Sequence, residues 1–235
     1  MVWRVPAPAL DFEFARGSLA RAAAGTTDLR GLAAAAPEEQ ALAFARTILR
    51  NPTVSAVLER LATLDLPPWY LTAGSLFQTV WNAAVGRADL NHGVRDHDLF
   101  FYDDTDLSYE AEDLVTRRCL KACEDLGVEL EPRNQARVHL WYGSKFGKEI
   151  APYASLDEAI GSLAATCCCV AVNLDEDGLL HVHSTYGFAD LFNLVLRPNP
   201  TTEAPRQVYE AKAERWTALW PELTKLPWPQ GSDAA

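Results

Sequence analysis

The sequence predicts an α+β fold with an N-terminal helical segment, and two observations lead to this class. In the first third of the chain, apolar residues recur at the three- and four-residue spacing of helices. From about residue 67, short apolar runs typical of strands alternate with helical stretches. A chain of 235 residues suits one sizeable core. We therefore expect a helical segment at 1–66 packed on a core at 67–226, followed by a flexible tail at 227–235.

The N-terminal segment contains two regions with helical character. Residues 10–24 are rich in Ala, Leu and Arg, which predicts a helix there. Residues 37–64 carry apolar side chains at helical spacing, and Asn51-Pro52 divides this stretch into two helices, because proline fits the first turn of a new helix. Leu66-Pro67-Pro68 ends the second helix. We interpret these helices as scaffold.

The core begins with a pattern of strand, turn and helix, followed by an acidic strand. The apolar run at 69–73 predicts a strand, Gly74-Ser75 a turn, and residues 76–84 a helix. Asp96 and Asp98 lie on the next predicted strand, where the period of two places both carboxylates on one face and His97 on the other. Two carboxylates on one face repel each other unless a cation joins them. Mg²⁺ accepts one or two carboxylates and completes its octahedron with waters and phosphates.

Further elements follow the acidic strand. We predict an amphipathic helix at 109–125 with Leu114, Val115, Cys119, Leu120 and Cys123 on its inner side, ended by Gly127. We also predict a strand at 128–142 interrupted by Pro132, a hairpin of 166–173 with 179–185 around an Asp-Gly turn, and a closing helix at 212–219. The consecutive cysteines at 167–169 are interpreted as buried thiols in a strand, because they lack the separated ligand pairs of zinc sites.

Charge and hydropathy restrict the function classes. A net charge of −11 and a pI near 4.9 argue against extended binding along a nucleic-acid backbone, because such binding needs many contacts from Lys and Arg to phosphates. A local basic pocket remains compatible with an acidic chain, and its candidates are Arg133, Arg137, Lys145 and Lys148. No apolar stretch approaches the roughly 20 residues of a membrane span, and the first residues do not resemble a signal peptide. We therefore expect a cytoplasmic protein with no membrane partner.

An ordered set of motifs carries a family resemblance across about residues 40–226. The set comprises Gly74-Ser75, Trp81, Asp96-His97-Asp98 with Phe101-Tyr102-Asp103, the run Asn134-Gln135-Ala136-Arg137-Val138-His139, Tyr186-Gly187, Asp190-Leu191-Phe192, Arg197-Pro198-Asn199-Pro200, Trp216 and Trp220-Pro221. It resembles the bacterial nucleotidyltransferase-like family of the DNA polymerase beta superfamily. The resemblance implies a small mixed nucleotidyltransferase-type sheet flanked by helices. It also implies metal-dependent transfer of a nucleoside monophosphate from an NTP, with Mg²⁺ or Mn²⁺ as cofactor, and leaves the acceptor open.

The resemblance assigns roles to the acidic strand and the turn before it. Gly74 and Ser75 are expected to bind phosphate oxygens, and Asp96 and Asp98 to hold the metal ions. A later strand supplies a third carboxylate in this superfamily, completing the second metal site and assisting deprotonation of the acceptor. We assign that role to Glu131, although Glu129 shares its face by the period of two. The predicted catalytic residues are therefore Asp96, Asp98 and Glu131.

The polar run after this strand has two interpretations. Asn134, Gln135, Arg137 and His139 lack the apolar alternation of a core strand, so their side chains need partners or a ligand. We predict nucleotide binding, while a hydrogen-bond network tying the sheet to a loop stays an alternative. Asp190 is interpreted as a residue that caps or orients a helix. His181 and His183 share a strand face and, without a third ligand nearby, are interpreted as an exposed pair rather than a zinc site.

Two functional classes remain open, with a third less favoured. The leading hypothesis is a metal-dependent nucleotidyltransferase whose acceptor is a small molecule, a protein or an RNA end. The alternative is a catalytically inactive nucleotide-binding or protein-interaction module with the same fold, which would apply if no third carboxylate reaches the metals. A metal-dependent phosphohydrolase is the third class.

Overall fold

A mixed β-sheet organises the molecule, whose computed structural model describes residues 9–21 and 28–229. The strands are β1 (Leu10–Ala15), β2 (Trp69–Thr72), β3 (His97–Phe101), β4 (Leu130–Asn134), β5 (Val170–Leu174), β6 (Leu179–Ser184), β7 (Val195–Leu196) and β8 (Thr224–Lys225). Six of them form one sheet in the order β1-β6-β5-β2-β3-β4, and β7 pairs with β8 separately. Within the large sheet, β3 and β4 are parallel and the other neighbours antiparallel. The predicted mixed sheet and α+β class are confirmed.

Helices cover both faces of the sheet. They are α1 (Arg16–Arg21), α2 (Pro37–Leu49), α3 (Pro52–Ala62), α4 (Gly74–Ala84), α5 (Tyr109–Cys123), α6 (Val138–Phe146), α7 (Leu156–Gly161), α8 (Ala189–Phe192) and α9 (Arg206–Leu219). The main core gathers apolar side chains of α2 to α5, α8 and α9 against one face. Smaller clusters built from α6 and α7 pack near Phe100 and Tyr70. None of the described helices is long and apolar enough to cross a membrane.

The prediction of a helix at 10–24 is wrong for its first part. Residues Leu10–Ala15 form β1, in which half-buried and exposed side chains alternate as on a sheet edge. Only Arg16–Arg21 is helical, and residues 22–24 lie outside the described residues. The alternation in Leu10-Asp11-Phe12-Glu13-Phe14 was the available signal, and the Ala-rich composition after it obscured the period of two. The N-terminal segment therefore contributes an edge strand as well as helices.

The strand predicted at 128–142 is also corrected. It ends at Asn134, and the chain continues through a 3-10 turn (Gln135–Arg137) directly into α6. The side chain of Asn134 accepts a hydrogen bond from the Ala136 N–H, which caps the new helical segment. Polar residues in this run therefore mark a helix start rather than a continued strand.

Smaller corrections concern α5 and the cysteines. On α5, the buried residues Val115, Cys119 and Cys123 are spaced four apart and form one face of the helix. Leu114 and Leu120 lie outside this face and are exposed. The cysteines at 167–169 are buried and free, but they do not lie in a strand as predicted: the first two belong to a 3-10 turn (Thr166–Cys168), and Cys169 directly precedes β5.

Most other local predictions are confirmed. Helices α2 and α3 meet at Asn51, whose side chain accepts hydrogen bonds from the amides of Thr53 and Val54. The strand-turn-helix of β2 and α4 and the hairpin of β5 and β6 are present, and α9 begins six residues before the predicted closing helix. Of the predicted tail at 227–235, residues 230–235 lie outside the described residues. The segment boundaries proposed from the sequence remain predictions.

The prediction of an exposed histidine pair is wrong most clearly for His183. It is fully buried on β6, where its Nδ1 lies 2.8 Å from Oδ1 of Asp11 on β1. His181 is half-buried and contacts Asp175, with its Nε2 2.9 Å from Oδ2. Both histidines thus have carboxylate partners that the linear sequence did not reveal.

Candidate active site

A tight turn between β2 and α4 forms one wall of the site. Ala73 has φ 56° and ψ −134°, a conformation that side-chain-bearing residues rarely adopt. Gly74 and Ser75 then begin α4, where the first amides of a helix have no intrahelical acceptor. A Cβ placed on Gly74 would lie 3.1 Å from Nε2 of Gln78 and 3.5 Å, an ordinary contact distance, from Oδ1 of Asp96, so the turn runs beside that carboxylate. The turn combines free amide donors with an adjacent acid.

Ser75 does not present its hydroxyl to the site. The residue is fully buried, and its Oγ donates to the Thr72 carbonyl at 3.4 Å. The hydroxyl thus serves the turn itself. The predicted phosphate-binding role of Ser75 therefore depends on its backbone N–H.

Three acidic residues lie near the start of β3 and on the neighbouring strand β4. Asp96 precedes β3, and the parallel register pairs Asp98 on β3 directly with Glu131 on β4. His97 and Leu99 are buried on the opposite face, as the period of two predicts. Burial lowers the pKa of His97, which favours a neutral imidazole. Only the tertiary pairing brings Glu131 beside Asp98.

The electrostatics of Asp98 favour a bound cation. Burial, followed by the negative charges of Asp96 and Glu131, raises the pKa of Asp98 to about 7. The positive charges of Lys212 and Arg133 oppose the shift without cancelling it. A divalent cation would relieve this unfavourable charge, and carboxylate oxygens are the donors that Mg²⁺ accepts. The donor set of Asp96 and Asp98 therefore fits Mg²⁺ or Mn²⁺.

In this site the protein would supply two carboxylate ligands to the cation, and waters and substrate phosphates would supply the others. Across residues 9–21 and 28–229, no group of three or more His, Cys, Asp or Glu side chains forms a ready metal-binding cluster. Mg²⁺ commonly binds through one or two carboxylates and takes its other ligands from waters and phosphates. Asp96 and Asp98 match that pattern.

Two adjoining cavities meet at Asp98. The first is a polar cleft of about 150 Å³ lined by Gly74, Gln78, Asp96, Asp98, Lys212 and Arg215 among others. The second is an aromatic cavity of about 260 Å³, and its apolar walls include Phe100, Trp141, Tyr142, Phe146 and Tyr153. Asp98 and Lys212 line both, while Glu131 lines only the aromatic cavity. Asp98 therefore stands where the two spaces join.

The basic residues of the site differ from the predicted set. Arg133 and Lys145 line the aromatic cavity, but Lys148 pairs with Glu203 at 2.9 Å. Sequence reasoning missed Lys212 and Arg215 on α9, which line the polar cleft and approach the ring of Trp216. Their spacing of three on one helix was the available signal, since it places both on one face.

The polar run after β4 divides between the two interpretations. The Asn134 amide nitrogen donates to the Asp103 carbonyl at 2.7 Å, and its oxygen accepts from the Asp103 N–H at 3.1 Å. Arg137 forms a half-buried ion pair with Glu112 and donates from Nε to the Leu107 carbonyl. These contacts tie β4 to the loop before α5, so the geometry favours the network alternative for these two residues.

Gln135 and His139 differ from their neighbours. Of the four predicted nucleotide-binding residues in this run, Gln135 lines the aromatic cavity, and the described lining of the two cavities contains none of the others. The Nδ1 of His139 is buried without a hydrogen-bond partner among the described residues. Asp190 binds Arg197 through both carboxylate oxygens, which gives it a structural contact.

The strain at Ala73 predicts a stability effect at the turn. Ala73→Gly is expected to raise the free energy of unfolding by about 1 kcal/mol, because relief of roughly 1–3 kcal/mol of strain exceeds the entropy cost of glycine. Ala56→Gly inside α3 is the matched control, and it should cost about 1 kcal/mol. Urea unfolding measures both changes. A loss of stability in Ala73→Gly equal to that in the control would contradict the strain.

Comparisons with known proteins show the family and the fold of this chain. The sequence model of a family described as nucleotidyltransferase matches residues 59–225, more than half of the chain. A similar solved structure is the NMR structure of a protein reported to reveal a CCA-adding enzyme head domain. It has a TM-score of 0.63 and 24% identity, and the match covers 83% of this chain and 100% of that one. At that identity the likeness shows the fold. A comparison with curated protein sequences found no match.

Proposed function

This chain belongs to a nucleotidyltransferase family, and from that premise we propose that it transfers a nucleoside monophosphate from a nucleoside triphosphate to a separate acceptor. Asp96 and Asp98 would hold Mg²⁺ or Mn²⁺. The observation that carries this proposal is the polar cleft, in which the Gly74 turn, both aspartates and Lys212 surround one space. Such a space offers amide donors, cations and metal-binding carboxylates to a triphosphate.

The triphosphate would lie along the turn. The amides of Gly74 and Ser75, at the start of the eleven-residue helix α4, can donate to phosphate oxygens. Lys212 and Arg215 on α9 supply positive charge from the other side of the cleft. Divalent cations bound here would neutralise phosphate charge and align the entering and leaving oxygens. These residues together position the α-phosphate near Asp98.

The acceptor would enter from the aromatic cavity. In-line displacement places the attacking oxygen opposite the leaving pyrophosphate. With the pyrophosphate at the Gly74 turn, attack comes from the side of Glu131. The acceptor oxygen forms a bond to the α-phosphorus while the bond from that phosphorus to the bridging oxygen breaks. We assign Glu131 as the base that takes the hydroxyl proton, and pyrophosphate leaves through the polar cleft.

The aromatic cavity also bears on the kind of acceptor. Its volume of about 260 Å³ has room for a small molecule or a single protruding end of a chain. The net charge of −11 disfavours a long contact with a nucleic-acid backbone. The acceptor is therefore a small molecule, a protein side chain or an RNA end.

Calorimetric binding of the four ribonucleoside triphosphates, with and without Mg²⁺, tests the proposal. We expect wild type to bind at least one triphosphate in a Mg²⁺-dependent manner, and the variant Asp96→Asn with Asp98→Asn to lose that binding. The matched control is Asp104→Asn with Asp177→Asn, which removes the same charge from exposed positions. It should bind like wild type.

The alternative function has its own outcome. A folded wild type that binds no triphosphate would overturn the proposal and favour a protein-interaction module. Binding that survives in the Asp96→Asn, Asp98→Asn variant would overturn the assigned metal site. Glu131→Gln separates binding from turnover, because it should retain triphosphate affinity and lose transfer.

A further inference from the structure

Gln78 is a buried polar residue that the protein leaves without a partner. Its side chain is 4% exposed, and Oε1 has no hydrogen-bond partner among the described residues. Buried polar groups are otherwise almost always hydrogen-bonded, because desolvation without compensation costs free energy. An orphaned carboxamide oxygen inside a protein therefore calls for a physical explanation.

The position of Gln78 supplies that explanation. Gln78 lies one helical turn after Gly74 on α4 and lines the polar cleft with Asp96, Asp98 and Lys212. Its Nε2 lies 3.1 Å from the point that a Cβ on Gly74 would occupy, and Oδ1 of Asp96 lies 3.5 Å from the same point. The carboxamide thus stands beside both the predicted phosphate-binding turn and the predicted metal ligand.

A second buried glutamine shows what a structural role looks like in this chain. Gln40 on α2 is 7% exposed, and its Nε2 donates to the carbonyl oxygens of Ala33 at 2.9 Å and Ala35 at 3.1 Å. These two bonds hold the chain before α2 against the helix. Within the part of the chain that the structure describes, Gln78 makes no comparable hydrogen bond with another segment, so its amide is not needed to join these parts of the fold.

The chemistry of the cleft gives the amide a distinct task. The aspartates can only accept hydrogen bonds when ionised, whereas Lys212, Arg215 and the turn amides can only donate. A carboxamide does both with no net charge. A hydrated cation with its triphosphate needs this combination, because its waters donate and its phosphate oxygens accept.

We propose that Gln78 is a substrate-binding residue whose carboxamide contacts the metal–triphosphate complex. Nε2 donates to a phosphate oxygen, and Oε1 accepts from a water held by the cation. This inference rests on the proposed function, since it requires that the cleft bind a triphosphate. It adds a residue that neither the acidic motif nor the Gly74 turn includes.

Gln78→Met and Gln40→Met form the matched test. Calorimetry with each ribonucleoside triphosphate and Mg²⁺ should show that Gln78→Met weakens binding about tenfold or more, the range of hydrogen bonds to charged groups. Thermal unfolding without metal or nucleotide should show an equal or higher Tm, because an apolar side chain removes the orphaned group. Gln40→Met should lower the Tm and leave binding unchanged. Gln78→Asn keeps an amide and should fold, with an intermediate loss of affinity.

The outcomes separate this inference from the proposed function. Wild-type affinity in both Gln78→Met and Gln78→Asn would overturn the role of Gln78 while the proposed function stands. A fall in Tm for Gln78→Met like that of Gln40→Met, without loss of affinity, would show a structural role instead. If folded wild type binds no triphosphate with Mg²⁺, both the proposed function and this inference fail.

Discussion

Replacing Asp98 with asparagine should make the metal-free protein more stable at pH 8, by roughly 3 kcal/mol. The reason is that burial and the charges of Asp96 and Glu131 raise the pKa of Asp98 to about 7, above the ordinary aspartate value of 3.8. Ionised Asp98 is therefore unfavourable in the folded state. Asparagine keeps nearly the same shape and removes that charge, at the expense of metal binding.

The effect has a defined pH dependence. Since the folded protein holds the Asp98 proton more tightly than the unfolded chain, stability decreases as pH rises between about 4 and about 7. The full deficit is present above pH 7 and disappears below pH 4. The gain from Asp98→Asn should consequently be large at pH 8 and small at pH 4.5.

Urea unfolding in the presence of a chelator, at both pH values, measures this difference. Asp104→Asn serves as the control because Asp104 is exposed on the loop after β3, and it should change stability by less than about 0.5 kcal/mol. Saturating Mg²⁺ with triphosphate should stabilise wild type and leave Asp98→Asn nearly unaffected. If Asp98→Asn is less stable than wild type at pH 8, the conclusion that ionised Asp98 destabilises the folded state is refuted.

The Arg137→Ala substitution should lower the free energy of unfolding by about 3 kcal/mol. Arg137 and Glu112 form an ion pair in which both side chains are only 12% and 13% exposed. Glu112 also accepts a hydrogen bond from the Asn134 N–H at 2.9 Å. Removal of the guanidinium leaves a largely desolvated carboxylate without its charge partner, which is the costly outcome for an ion pair.

Arg117→Ala provides the comparison, because Arg117 pairs with Asp113 on the exposed face of α5. An exposed pair of this kind contributes about 0.3–0.5 kcal/mol. Urea unfolding compares the two variants, and calorimetry on the folded fraction compares their affinity for triphosphate with Mg²⁺. We expect Arg137→Ala to retain that affinity. A loss of affinity without a loss of stability would restore the nucleotide-binding interpretation of Arg137.

Much of the site was predictable because its signals are local. The turn at Gly74, the helix after it and the alternation of Asp96, His97 and Asp98 each depend on neighbours within a few residues. The secondary-structure predictions were wrong where the local composition is compatible with both a helix and a strand. Leu10–Ala15 became a strand because β6 pairs with it, and the run after Asn134 became helical because its side chain caps the next segment.

Local sequence patterns could not predict which residues from distant parts of the chain come together at the site. Glu131 was suggested by its position on a later strand, but its register with Asp98 depends on the parallel pairing of β3 and β4. Lys212 and Arg215 reach the polar cleft because α9 packs over it. The partnerless oxygen of Gln78 is visible only when every neighbour around it is known.

By itself, the sequence determined the α+β class, the turn at Gly74 and the acidic pair of Asp96 and Asp98, because short-range spacing and backbone preference control these features. The tertiary structure alone decided which carboxylate stands beside Asp98, which cations face it, and which polar residues are occupied by the fold. These features depend on long-range packing, which brings together side chains from separate parts of the chain. Once these side chains are close and partly buried, their charges shift one another's pKa values.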